Sequence, residues 1–215
     1  MEDYRKNKLK EVLILLKYLG FDKIDRRLSN YSPIDDLIEE VIKCTKCQLH
    51  EERTNAVFGD GPFDADLMVI GEAPGGKEDE LGLPFVGAAG RELDSILEGA
   101  GVNRKDIFIT NVVKCRPPGN RNPKPEEITS CNVYLREQLK IIDPKVIVLL
   151  GNAALYLVTG VMGGITKFRG KKVEYLSRTA IPSFHPAYVI RNPGSRDIVV
   201  KDIKKALRNI SEWKG

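Results

Sequence analysis

The chain reads as an α/β protein whose mostly parallel sheet is covered on both faces. Two observations carry that reading. From Asp66 onward, short apolar runs alternate with segments of helical periodicity in a repeated order of strand, loop and helix. The runs are continuously apolar rather than alternating, as in Val146–Leu150, which marks strands buried on both faces. A length of 215 residues suits one domain with a full-sized core, or one domain plus a small appendage.

Arg5 to Leu19 places Leu9, Val12, Leu13 and Leu16 at helical spacing, and Gly20 ends that segment. A second helix is signalled by Ser32 as N-cap, Pro33 at the first helical position, and Asp35 and Asp36 in the first turn. Its apolar residues Leu37, Ile38, Val41 and Ile42 lead directly into Cys44. Core packing accounts for both helices, although the first could instead dock a partner. Leu67–Ile70 is a short strand ending at Gly71, Arg91–Ala100 a helix stopped by Gly101, and Ile107–Val113 the next strand. Glu126–Ile142 is a long helix, Val146–Leu150 a strand, and Asn152–Val158 a further helix. Lys172–Leu176 and Thr179–Ser183 form a strand pair around Ser177 and Arg178, and a basic helix follows over Asp197–Ile210.

Hydrophobic residues make up 42% of the chain and charged ones 30%, with no low-complexity tract, as in soluble globular proteins. No apolar run is long enough to span a bilayer, and Val12–Leu16 lacks the length and cleavage site of a signal peptide. A cytoplasmic location is therefore expected. The net charge of +4 fits a nucleic-acid partner and many ordinary enzymes alike. Glutamine occurs only at Gln48 and Gln138 while Lys, Arg and Glu abound, a bias associated with life at high temperature.

Cys44 and Cys47 form a C-x-x-C pair, and Cys115 and Cys131 are the only other cysteines. Such a pair aims two thiolates at one point from a tight turn, the usual start of a zinc or iron–sulfur site. The two lone cysteines could complete four ligands if the fold brings them back. Without a secretory signal, ligation is a better reading than a disulfide framework.

Ligands of open α/β sheets bind at the carboxyl ends of the strands. The sequence sets Gly71-Glu72-Ala73-Pro74-Gly75, Asn111, Gly151-Asn152 and Ser183-Phe184-His185-Pro186 there. A carboxylate, an amide and an imidazole thus converge on one edge, the makings of an active site. The Gly71–Gly75 segment is neither a G-x-G-x-x-G nor a Walker A loop. Its glycines and proline force a sharp turn with N–H groups facing outward, which alone would equally describe a tight strand-to-helix connection. Phe85, in the connector Pro84-Phe85-Val86-Gly87, is placed to stack on a planar ligand. His185 ends a buried strand and is assigned a functional role; His50, after the C-x-x-C turn, reads as a surface residue or a spare polar contact. The loop Arg116–Lys124 is basic and proline-stiffened, suited to touching phosphates or to wrapping the cysteine site as a solvated loop.

Taken together, these segments resemble the uracil-DNA glycosylase superfamily, and within it the family 4 enzymes that carry an iron–sulfur cluster. The resemblance covers roughly Val41 to Ile210 and rests on several motifs in a fixed order. These are the four-cysteine spacing, Gly71-Glu72-Ala73-Pro74-Gly75 followed by Glu78-Asp79, and Pro84-Phe85-Val86-Gly87. Thr110-Asn111-Val112-Val113-Lys114-Cys115-Arg116-Pro117 and His185-Pro186-Ala187-Tyr188 complete the set. It implies a three-layer α/β/α sandwich around a four-stranded, mainly parallel sheet, and a [4Fe–4S] cluster on Cys44, Cys47, Cys115 and Cys131. The uracil pocket would be lined by the backbone of Gly71, Glu72 and Ala73 with Phe85, Asn111 and His185. Glu72 would handle the water, with Glu78 or Asp79 in reserve. His185 to Arg191 would enter the duplex on base flipping, bringing Tyr188 and Arg191 to DNA beside Arg116, Arg121 and Lys124 of the basic loop. Family members typically begin near the first cysteine, so residues 1–40 read as a helical extension and 41–215 as the glycosylase domain. One branch of the superfamily traps DNA covalently with a histidine in a basic insert. The corresponding loop here has none, so ordinary turnover is expected.

The expected activity is hydrolysis of the N-glycosidic bond of uracil in single- or double-stranded DNA by a monomer, leaving an abasic site. Two rivals from other classes are a non-catalytic, zinc-stabilised nucleic-acid-binding protein and a doubly wound nucleotide-binding enzyme. The convergence of Glu72, Asn111 and His185 counts against the first and the missing phosphate loops against the second. No partner-docking motif stands at either end, so a sliding clamp has no support in the sequence.

Overall fold

The chain is described by a computed structural model over residues 33–160 and 162–210. The helix expected over Arg5–Leu19, and most of the expected extension, lie outside the described residues. The strands are β1 (Leu67–Gly71), β2 (Phe108–Asn111), β3 (Val146–Leu150), β4 (Val173–Tyr175) and β5 (Arg178–Ser183). They form one sheet in the order β2-β1-β3-β5-β4, parallel throughout except for the β4–β5 pair. The four-stranded sheet implied by the resemblance is the parallel part, and the strand expected over Lys172–Leu176 is β4, a fifth, antiparallel edge. Its hairpin turns at Leu176 and Ser177, both at positive φ (49° and 62°), the twist that lets a two-residue connection join paired strands.

Alternate side chains of each central strand enter different cores. Leu67 and Val69 of β1 face one side of the sheet, Met68 and Ile70 the other; β3 divides Val146, Val148 and Leu150 from Ile147 and Leu149 in the same way. The first side is covered by α3 (Ala88–Ala100) and α8 (Arg196–Leu207) through Leu93, Ile96, Leu97, Val199 and Ile203. The second is covered by α4 (Pro125–Ile142) and α5 (Gly151–Thr159) through Ile128, Leu135, Leu139, Ala153 and Ala154. This is the expected sandwich of helices, sheet and helices.

On that second side, α1 (Pro33–Ile42) sinks Ile34, Leu37 and Val41 into the core. A ten-residue helix is marginal alone, and three buried aliphatic side chains at roughly 1.5–3 kcal/mol each hold it in place. It delivers the chain to the first cysteine. The strand expected over Ile107–Val113 is regular only to Asn111, although Val112 and Val113 still donate to the carbonyls of Gly71 and Glu72. The chain bends there toward Cys115. Three further helices are short: α2 (Gly76–Leu81), α6 (Ile165–Phe168) and α7 (Pro186–Arg191). No helix among the described residues is long and apolar enough to cross a membrane.

Candidate active site

A cleft of about 580 Å³ opens at the carboxyl ends of the parallel strands. Glu72, Phe85, Asn111 and His185, singled out separately in the sequence, all line it, with Ala73 beside them. Gly71 is paired in register with Asn111 across β1 and β2. A Cβ at position 71 would stand 2.4 Å from both Asn111 Oδ1 and Phe85 Cζ, so only glycine lets those two side chains close over the strand end.

The Phe85 loop is built around a buried carboxylate. Glu78 on α2 accepts from the N–H groups of Gly75 (3.2 Å), Val86 (3.0 Å) and Gly87 (2.8 Å), tying the turn after β1 to the connector before α3. Phe85 itself is held at φ 51°, a conformation that side chains rarely adopt. Its carbonyl lies where a Cβ on Gly90 would come within 1.9 Å, so the first turn of α3 must be bare there. The phenyl ring faces the His185 ring, with centroids 5.7 Å apart and planes 31° from parallel. The neighbouring Asp79 accepts from the backbone N–H groups of Thr54 and Asn55. Both carboxylates named as reserves for Glu72 are thus already engaged in holding loops.

Glu72 differs. No hydrogen bond reaches its carboxylate among the described residues, and burial pushes its pKa up. Asn111 is 1% exposed, yet its Oδ1 has no partner. A buried amide oxygen without a donor is costly in a finished core and suits a surface awaiting a ligand. His185 caps α7: its Nδ1 accepts from the Ala187 N–H at 3.1 Å, which leaves the ring proton on Nε2. Burial lowers its pKa to about 4, Arg191 adds to that, and Glu78 offsets part of it, so the ring is neutral at pH 7.

The residues proposed for DNA are less uniform. Tyr188 and Arg191 lie on α7 at the cleft, both exposed, and Tyr188 stacks on Phe184 with centroids 4.7 Å apart. Arg121 also lines the cleft but is held by both oxygens of the buried Glu127, at 2.6 and 2.8 Å. Arg116 donates to Asn120 Oδ1 at 2.8 Å, and Lys124 is exposed; neither lines the cleft. Asn152, beyond β3, was noted in the sequence without a role; it accepts from the Ile165 N–H and fixes α6 against the cleft. The role of Glu78 had a signal in the sequence, a glutamate three residues beyond the turn glycine Gly75, where it can reach back to the N-cap.

Cys44, Cys47, Cys115 and Cys131 line one small cavity on the α1 and α4 side of the sheet, with His50 and Arg53 at its wall. Three of the sulfurs accept hydrogen bonds: Cys44 from the Lys46 N–H (3.4 Å), Cys115 from Arg53 Nη1 (3.0 Å) and Cys131 from the Lys114 N–H (3.3 Å). Arg53 also donates to the Ile42 carbonyl at 2.6 Å, joining the end of α1 to this site. Burial pushes the thiols of Cys47 and Cys115 up, and that of Cys131 to about 11. His50 bonds the Cys47 carbonyl through Nδ1 at 2.7 Å, the spare polar contact anticipated for it. Among the described residues, no group of three His, Cys, Asp or Glu side chains is arranged to hold a metal ion.

Residues 58–209 match the family model of the Uracil DNA glycosylase superfamily. The chain is 49% identical over 172 residues to a type-4 uracil-DNA glycosylase of Thermotoga maritima, covering 78% of this chain and 90% of the relative. It is 48% identical over 181 residues to the type-4 enzyme of Sulfurisphaera tokodaii, covering 80% and 82%, and 43% identical over 180 residues to that of Archaeoglobus fulgidus, covering 80% and 90%. With the superfamily model matching residues 58–209 and identities of 43–49% over about four fifths of the chain, the chain belongs to the type-4 uracil-DNA glycosylases of this superfamily.

Proposed function

We infer that the protein is a DNA repair hydrolase that flips uracil out of DNA and cleaves its N-glycosidic bond, leaving an abasic site for base excision repair. The observation that carries this reading is the unpaired, buried Asn111 Oδ1 at the base of the cleft, beside the Phe85 ring. A uracil seated there gives its N3–H to Asn111 Oδ1 and accepts at O4 from the same amide. Cytosine has no N3–H to give and carries an amino group where uracil has O4. Phe85 supplies the stacking face that offsets the cost of unstacking the nucleotide.

Bond breaking leaves negative charge on the uracil ring and positive charge on the sugar. The Nε2–H of His185 donates to the ring as its charge grows, and the Glu72 carboxylate stands for the sugar and the attacking water. Glu72 is preferred over Glu78 and Asp79 because their oxygens already accept backbone N–H groups. Tyr188 and Arg191 on α7 meet the DNA, and Arg116 and Lys124 lie along the flanking backbone.

Cys44, Cys47, Cys115 and Cys131 hold a [4Fe–4S] cluster in this reading. Their shared cavity and the N–H donors on three sulfurs support this reading, in which each thiolate would bind a different iron, so that no three of them need meet on one ion. Bound there, the cluster supplies a covalent tie between chain segments. Iron analysis and broad visible absorbance of the purified protein distinguish it from zinc. The activity is tested with an oligonucleotide holding one uracil, followed by alkaline cleavage. Scission at the uracil alone is expected; an iron-loaded protein that leaves the strand intact would refute the function.

A further inference from the structure

Between the cysteines and Asn111 lies a buried polar network that the chemistry above does not use. Lys114 is 1% exposed and Gln138 is fully buried. Lys114 Nζ donates to the Asn111 carbonyl (2.8 Å), to Thr110 Oγ1 (2.6 Å) and to Gln138 Oε1 (2.6 Å). Gln138, on α4, donates through Nε2 to the Phe58 carbonyl at 2.8 Å, which also accepts from Thr110 Oγ1 at 2.7 Å. At its backbone, Lys114 N–H donates to Cys131 Sγ.

A lysine sunk this deep is unfavourable unless its donors are met, and an apolar side chain of the same length would fill the space at lower cost. Packing therefore does not explain it. Its partners do, because two of the three belong to the last two residues of β2, Thr110 and Asn111. The Asn111 side chain has no protein anchor of its own, since its Oδ1 is unpaired. Where that amide points depends on its backbone, and the carbonyl of that residue is what Lys114 holds.

We propose that Lys114, braced by Gln138, is a positioning residue that fixes the Asn111 backbone so that its amide meets the uracil edge. This rests on the reading of Asn111 given above. Because the same residue touches the Cys131 sulfur and the Asn111 carbonyl, it also links the cysteine site to the base-selecting end of the cleft.

The test uses iron-loaded full-length protein carrying Lys114→Met, Gln138→Met or Asn111→Asp. Four quantities are compared: iron content, thermal midpoint, inhibition by free uracil, and affinity for an abasic-site duplex, which engages everything but the base pocket. Free uracil should inhibit Lys114→Met about tenfold less well, the size of one lost hydrogen bond. Gln138→Met should shift the same way by a smaller factor, with abasic-site affinity and iron content unchanged in both. A merely structural role would weaken uracil and abasic-site binding together, and that result overturns the proposal. If Lys114→Met does not fold, unchanged uracil inhibition in Gln138→Met overturns it instead. Asn111→Asp should lose uracil affinity and gain some excision of cytosine, whose amino group the carboxylate can accept. Full uracil affinity in Asn111→Asp would sink the reading of Asn111 itself. Loss there with none in Lys114→Met would sink only the strut.

Discussion

With its Nδ1 taken by the Ala187 N–H, His185 carries its proton on Nε2, and burial keeps a second proton off until about pH 4. In the proposed reaction a departing uracil anion would meet a neutral donor, with no charge on the imidazole to desolvate. Replacing His185 with Ala should slow single-turnover excision by about 10²–10³ while affinity for the same uracil duplex changes little. Collapse of binding with intact chemistry would make it a docking residue instead. The depressed pKa also has a stability consequence. Between the ordinary 6.5 and about 4 the unfolded chain binds a proton that the folded one refuses, so this residue makes the fold lose stability as pH falls through that window and has no effect above it. Thermal midpoints of the wild type should therefore drop more steeply than those of the Ala variant from pH 6.5 to 4. The histidine itself was legible in the sequence, because it ends an apolar strand before a proline. Its tautomer was not, since that depends on a backbone N–H two residues on, in a helix not foreseen.

That helix, α7, shows why short elements escape notice. Six residues give too few turns for periodicity, although Pro186 at its first position is a helix-start signal. The two-turn α2 hides in the same way among glycines, yet it carries Glu78, whose carboxylate takes three backbone N–H groups and joins two segments. Removing it in Glu78→Ala strands N–H groups that shared a charged acceptor, a loss of roughly 2–4 kcal/mol. We expect the thermal midpoint to fall by about 5–10 °C, and free uracil to bind more weakly because Phe85 loses the support for its φ of 51°. A midpoint within error of the wild type would show that the connector holds itself. Longer elements needed no such help. The continuous apolar runs of β1 and β3 and the start of α1 declare themselves in the sequence because burial on both faces and a proline at the head of a helix, Pro33, leave local marks.

At the scale of the molecule, the sheet order β2-β1-β3-β5-β4 could not be read locally, because crossovers are decided by which helices pack on which face. The cysteines are the exception, since their spacing announced a long-range convergence that the shared cavity displays. They come from the turn after α1, the bend beyond β2 and the middle of α4, so Cys131→Ser should lower soluble yield and thermal stability with the cleft residues untouched. A stable, iron-free and fully active variant would contradict this. The bidentate hold of Glu127 on Arg121 reaches furthest from its own neighbourhood. A guanidinium already matched to a carboxylate displaces no counterion from a phosphate, so this loop contributes less to DNA affinity than its count of basic residues implies. The salt dependence of DNA binding should in consequence be shallower, by about one phosphate contact, than the basic residues of this loop imply. Glu127→Gln would release that cation, and the slope of log affinity against log salt should steepen by about 0.9, one additional phosphate neutralised.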